Sequence, residues 1–79
     1  MMLAGKRFVM EKRGVCLQRV SGMVSPIFIP VGATIEVISD PTYGTGLVNV
    51  LWESREVMMF RSEIASVGKE IVEQDGFDW

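Results

Sequence analysis

The sequence predicts a small all-β domain of about five short strands, with one helical turn near residues 61–65. Two observations carry this prediction. The 8 glycines and 3 prolines among 79 residues divide the chain into pieces too short for a stable helix. Several of these pieces alternate apolar and polar residues with the two-residue period of a strand. With 48% hydrophobic and 23% charged residues, the composition is that of a folded domain, which we assign to residues 1–72 before an acidic tail at 73–79.

The N-terminal part contains two strand-like segments, 6–11 and 15–20, separated by Gly14. They are either the two strands of a hairpin or one strand bent at the glycine, and the pattern leaves both open. In the second segment Val15, Leu17 and Arg19 share one face, and Cys16 lies on the other. Turns are predicted at 21–22 and 25–26.

The remaining elements follow from the same signals. Residues 27–29 form a short apolar run that ends at Pro30, a residue suited to the end or edge of a sheet. The β-branched segment 34–39 is the strongest strand. After a loop at 40–46, the predicted order is a strand at 47–52, a turn at 53–55, a strand at 56–61, a helical turn capped by Ser62, and a last strand at 67–72.

Composition also excludes several kinds of function. The chain has no His and one Cys, which removes the Ser–His type of nucleophilic site and a Cys/His zinc site. No apolar run approaches the ~18 residues of a membrane span. The Gly44-Thr45-Gly46 segment precedes a strand rather than a helix, so we interpret it as a turn and not as a phosphate loop. We predict no cofactor and no metal.

The single cysteine indicates the compartment. Cys16 lies between Val15 and Leu17, a setting typical of a small buried hydrophobic residue, and one cysteine cannot form an internal disulfide. Residues 1–10 also lack the apolar stretch and cleavage site of a secretory signal. We therefore expect a reducing, cytoplasmic location.

The order of elements over residues 31–71 resembles an SH3-like barrel. The residues that carry the resemblance are Val48, Val50 and Trp52 on one strand, the run 57–60 on the next, and Ile64 in the helical turn. The pattern is similar to small uncharacterised bacterial SH3-like domains. The resemblance implies a bacterial barrel domain and no particular activity.

A remoter resemblance is to the plasmid-borne, trimethoprim-insensitive dihydrofolate reductases, SH3-like chains that form tetramers around a shared pore. Their Val-Gln-Ile-Tyr run corresponds in place to 57–60. Here Met58 and Phe60 stand where the pore Gln and Tyr would be, and the pore lysine has no counterpart in 34–51. The resemblance implies a small-ligand binder or reductase-like enzyme at a symmetric pore, which we rank third among the functions.

The strands at 47–52 and 56–61 are apolar on both faces, which a strand of a soluble monomer seldom is. We expect Val48, Val50 and Trp52 to face the core. The outward positions then form a candidate self-association surface of Leu47, Leu51, Met58 and Phe60. The alternative is that the N-terminal strands or the aromatic tail cover this surface within one chain.

Two further candidate sites are weaker. Tyr43 and Arg55 could line a ligand groove between loops, with Trp52 as either a core residue or part of that groove. The tail at 73–79, with Phe77 and Trp79, is a docking motif, a strand that packs on the body, or a frayed end.

The N-terminal segment is basic on an otherwise acidic chain. Residues 1–20 have a net charge of +4 and residues 21–79 a net charge of −6. The basic residues are candidate nucleic-acid contacts: Lys6, Arg7, Lys12, Arg13 and Arg19. An acidic body repels phosphate, so pairing within the chain is the favoured interpretation.

Together these observations rank a non-enzymatic interaction module that self-associates first, as a dimer or tetramer, with another protein as an alternative partner. A nucleic-acid-binding barrel that uses residues 6–19 ranks second. Nucleic acid is not favoured as a partner, and a membrane is not expected.

Overall fold

A computed structural model describes residues 3–39 and 46–72. These residues form seven strands and one helix: β1 (Arg7–Met10), β2 (Gly14–Val20), β3 (Met23–Ile29), β4 (Thr34–Val37), β5 (Leu47–Trp52), β6 (Arg55–Phe60), α1 (Arg61–Val67) and β7 (Gly68–Ile71). The strands make one antiparallel sheet in the order β3-β2-β6-β5-β4-β1-β7. The predicted all-β class with a short helical segment is confirmed.

The sheet is strongly curled, although its hydrogen bonding stays open. In the strand order three strands lie between β1 and β2, yet only residues 11–13 connect them along the chain. Three residues span about 10 Å, so the sheet must bend until the end of β1 meets the start of β2. Within the described residues, β3 and β7 are the two edges and do not pair with each other.

The two N-terminal segments form neither a hairpin nor a single bent strand. Residues 6–11 and 15–20 contain two strands, but these do not form a hairpin with each other. β1 pairs with β4 and β7, whereas β2 pairs with β3 and β6. Both strands belong to the sheet itself, so the described N-terminal strands do not cover its outer face.

The β2–β3 hairpin is longer than predicted. Its two-residue turn is Ser21-Gly22, both with positive φ (52° and 81°), which is the geometry that suits a tight hairpin. The predicted turn at 25–26 is wrong, because Ser25 and Pro26 lie inside β3 opposite Gln18 and Leu17. Pro26 is tolerated there because β3 is an edge strand, where a missing N–H leaves no partner strand unsatisfied.

The core lies on the concave side of the curled sheet. Its fully buried side chains include Met10, Ile29, Ile35, Met59 and Ile64. Val48 and Val50 are buried, and Trp52 is 8% exposed, so the face predicted to be the core is confirmed. Trp52 is therefore a core residue.

The helix α1 closes one end of this core with Ile64 and Val67. It begins directly after β6, where Phe60 is extended and makes no side-chain cap, and Ser62 is inside the helix rather than at its cap. The predicted Ser62 cap is wrong. The Glu63 carboxylate instead accepts a hydrogen bond from the backbone N–H of Val15 at 3.0 Å, which ties α1 to β2.

Candidate self-association surface

The outward side of the sheet carries a continuous group of apolar side chains from four neighbouring strands. Residues directly opposite on antiparallel strands lie on the same face. Leu17 is opposite Met58, Val15 is opposite Phe28, and Phe60 is opposite Leu47. We call this group the outer apolar face, and its members are Val15, Leu17, Val24, Phe28, Leu47, Leu51, Met58 and Phe60.

Four of these eight are the residues that the sequence predicted to point outward. Leu51 is 39% exposed and Phe60 is 47% exposed, while Leu47 and Met58 are half-buried. The predicted alternation of β5 and β6 thus places each of these side chains on the outward side of the sheet, opposite the core.

The other four come from β2 and β3 and were not assigned to this surface from the sequence. Phe28 is 58% exposed, Val24 48% and Val15 39%. The sequence placed Val15 and Leu17 on one face of their strand, but nothing local indicates that β2 packs beside β6. That pairing joins positions 41 residues apart, Leu17 and Met58.

The exposed part of this face is large for so small a domain. A freely exposed aromatic side chain presents about 150–250 Å². From their exposed fractions, Val15, Val24, Phe28, Leu51 and Phe60 together leave on the order of 500 Å² in contact with solvent. The largest apolar patch on a soluble monomer is about 300–600 Å² and is often functional, so this face is a candidate interaction surface.

An open groove of about 350 Å³ runs along the junction of β2 and β6. Leu17, Val57 and Met58 supply its apolar lining, and Arg19, Asn49 and Glu56 supply the polar groups. Arg19 and Glu56 are both exposed and carry opposite charges. The groove therefore has two outward apolar side chains, Leu17 and Met58, beside an amide and two exposed groups of opposite charge.

The structure does not gather the basic residues into one surface. Lys6 pairs with Glu70 across 3.7 Å, and Arg7 lies opposite Glu36 on β4. Arg13 packs over the Phe28 ring, 4.5 Å from its centroid. Arg19, on β2, lies with Glu56 in the groove, and three strands separate β2 from β1 in the sheet order. Lys12 lies exposed in the β1–β2 connection.

The second candidate groove is only partly described. Arg55 packs over the Trp52 ring, 4.9 Å from its centroid, and lies 3.5 Å from the Glu53 carboxylate at the hairpin turn. Tyr43 and the tail at 73–79 lie outside the described residues. The structure therefore places Arg55 against Trp52 and Glu53 and gives no position for the Tyr43 half of the groove.

The carboxylates of Glu53 and Glu63 do not form an acid–base pair. Glu53 is on the β5–β6 turn and Glu63 is on α1, where it accepts the Val15 N–H. Among residues 3–39 and 46–72, no three His, Cys, Asp or Glu side chains come together in a way that would hold a metal ion. No helix in these ranges has the length and apolar character needed to cross a membrane.

Cys16 is completely buried on the core side of β2. Burial raises the pKa of its thiol, and the positive charge of Arg55 offsets part of that increase. A buried neutral thiol is a poor nucleophile, because the thiolate is the reactive form. Cys16 therefore serves packing rather than chemistry, in agreement with its sequence context.

We expect Cys16 to react with iodoacetamide only when the chain unfolds, so its alkylation rate at pH 8 should follow the unfolded fraction in urea. The unfolded thiol loses its proton near pH 8.5, below the pKa of the folded one. The free energy of unfolding should therefore fall as the pH rises through about 8.5.

The Cys16→Ala variant is the control for this pH dependence. It should lose less stability than the wild type between pH 8 and pH 10, as measured by urea denaturation. Rapid alkylation under native conditions would show that the thiol is accessible and contradict the assignment.

Comparisons with known proteins give no relative for this chain: no family model, no curated protein and no solved structure matches it. The interpretation of the surface therefore depends on its own geometry.

Proposed function

We propose that this protein is a non-enzymatic interaction module that self-associates through the outer apolar face. The observation that carries the proposal is the continuity of that face across β3, β2, β6 and β5. Phe28 lies opposite Val15, Leu17 opposite Met58, and Phe60 opposite Leu47, so apolar pairs follow one another from β3 to β5. Arg13, which packs over the Phe28 ring, is a charged group at the β3 side of this face. Burial of a large apolar side chain is worth about 1.5–3 kcal/mol, which favours association.

A second copy of the chain is the occupant that the surface fits best. Specific interfaces bury about 800 Å² on each partner. The exposed part of the outer apolar face supplies more than half of that area, and the flanking polar residues of the groove supply the rim. Because the rim carries both signs of charge, the surface is compatible with its own copy.

The buried, unpaired Cys16 supports a reducing compartment, and we place the module in the cytoplasm.

We expect sedimentation at tens of micromolar to give a dimer or tetramer of the 8.8 kDa chain. Leu51→Lys or Met58→Lys should shift it to a monomer without unfolding it, since a charge in the interface must be desolvated while an outward lysine in the monomer stays hydrated. Circular dichroism checks that each variant remains folded.

Val31→Lys is the matched control. Val31 is 64% exposed and lies in the β3–β4 turn, away from the outer apolar face. This variant should associate like the wild type. A wild-type protein that sediments as a monomer, with neither lysine variant changing its mass, would end the proposal. If the wild type is a monomer and Phe77→Ser with Trp79→Ser makes it associate, the tail is the occupant instead.

A further inference from the structure

We infer that two copies pack face to face around a two-fold axis that runs along the strands between β2 and β6, so that Arg19 of each copy lies over Glu56 of the other. This inference rests on the proposed function and specifies how the second copy is seated. It follows from the register of β2 and β6 and from the charges that line the groove.

The geometry of such an axis is simple. A two-fold axis that runs between two neighbouring strands exchanges the positions of those strands in the second copy. A residue of one copy therefore lies over the second copy's version of the residue that is its cross-strand neighbour. The observed pair is Leu17 and Met58, so Leu17 of each copy would lie over Met58 of the other. When this antiparallel register is continued by two residues in each direction, Val15 becomes the neighbour of Phe60 and Arg19 the neighbour of Glu56. Val15 of one copy would then lie over Phe60 of the other, and Arg19 over Glu56.

The strands of the two sheets remain nearly aligned under this operation, as in ordinary face-to-face packing of sheets. Because the outer apolar face is the convex side of the curled sheet, the closest contact falls on the central strands β2 and β6. The flanking strands follow the same rule. Val24, on β3 opposite Arg19, would lie over Leu51 of the second copy, and Phe28 would lie over Leu47 of the second copy.

The charges select this axis over its neighbours. An axis between β2 and β3 would place Arg19 over Val24, and an axis between β6 and β5 would place Glu56 over Leu51. Either arrangement buries a charge against an apolar side chain. An axis on β2 or on β6 would place like charges together. Of these axes, the one between β2 and β6 is the one that places Arg19 over Glu56, and it does so twice in each dimer.

Charge reversal tests this arrangement. Arg19→Glu alone and Glu56→Arg alone should each weaken the dimer by about tenfold or more, because each places two like-charge contacts in the interface. The double variant Arg19→Glu with Glu56→Arg should recover association to within about threefold of the wild type.

Mixing the two single variants gives the sharper result. In Arg19→Glu both residues 19 and 56 are negative, and in Glu56→Arg both are positive. In a dimer of one chain of each kind, every negative residue of one chain lies over a positive residue of the other. An equimolar mixture should therefore form a one-to-one heterodimer, although each variant alone is mostly monomeric. An effect confined to the folded monomer cannot produce this rescue. A mixture that associates no better than its components would overturn the inference.

A cross-link supplies an independent measurement. Val24 and Leu51 are separated by three strand spacings within one chain, about 14 Å, which is too far for a disulfide. Packed sheets lie about 10 Å apart, so a disulfide would not reach between the copies, and a short bis-maleimide that spans less than the within-chain separation is used instead. With this reagent the double variant Val24→Cys with Leu51→Cys should form a covalent dimer, whereas either single variant should remain uncross-linked. Absence of cross-linking in a double variant that still sediments as a dimer would contradict the proposed axis.

These outcomes separate the inference from the proposed function. If Leu51→Lys abolishes association while Arg19→Glu leaves it unchanged, the outer apolar face is the interface but the copies are seated differently. If the wild type does not associate at all, both fail.

Discussion

Trp52→Ala should unfold the domain. Trp52 is 8% exposed on the core face of β5, where it follows Val48 and Val50 at alternate positions. Aromatic-to-alanine changes in a core cost about 3–5 kcal/mol, because the side chain's burial is lost and a cavity remains. A domain this small has a total stability of about 5 kcal/mol, so the loss removes most or all of it.

The measurement is urea denaturation at fixed protein concentration, since self-association would make the midpoint depend on concentration. Trp52→Phe keeps an aromatic side chain and should lose clearly less. Arg55→Ala removes the cation above the indole ring and should cost about 0.5–1 kcal/mol. A Trp52→Ala protein with an unchanged denaturation midpoint would place Trp52 outside the core.

The strands from residue 34 onward are well predicted because local signals specify them. Val48, Val50 and Trp52 alternate with less buried neighbours, and β5 and β6 are joined by the two-residue turn Glu53-Ser54, so their register is nearly determined by the sequence. The predicted last strand is also confirmed, as Gly68–Ile71. The predicted helical turn is somewhat longer, because Val67 continues the buried face that Ile64 begins.

The N-terminal half is less predictable because its partners are distant in sequence. β1 pairs with β4 and with β7, and β2 pairs with β6. No local pattern specifies those choices. The count of about five strands was low for the same reason: the apolar run at 27–29 is only the end of β3, and Ser25 and Pro26 resemble a turn until the facing strand is known.

For the candidate surface, too, the residues that local alternation specifies are predictable and those that depend on distant strand pairing are not. Alternation within β5 and β6 is enough to place Leu51, Met58 and Phe60 outward, whichever strands lie beside them. The contribution of Val15, Leu17 and Phe28 depends on the pairing of β2 with β6 and is visible only in the folded chain. The charge pair of Arg19 and Glu56 arises from that same pairing.

Gly14→Val should destabilise the protein by about 3 kcal/mol, at the upper end of the cost of overpacking a core. Gly14 is buried at the start of β2, where the curled sheet brings β1, β2 and α1 together. A Cβ added there would overlap the terminal methyl of Met10 and lie 3.2 Å from a methyl of Val67. Met10 is 1% exposed, so its side chain has no free space into which it can move.

Gly14→Ala adds only the Cβ and should cost less than Gly14→Val, because it lacks the two further methyl groups that valine would add to this packed junction. Lys12→Val is the matched control: it introduces the same side chain two residues earlier, at an exposed position in the β1–β2 connection. Its melting temperature should stay close to that of the wild type. The order of melting temperatures wild type, Gly14→Ala, Gly14→Val, from highest to lowest, would show that β1 and β2 meet closely enough to require glycine. Equal melting temperatures for all three would show that the curled sheet is more open at this junction than the structure has it.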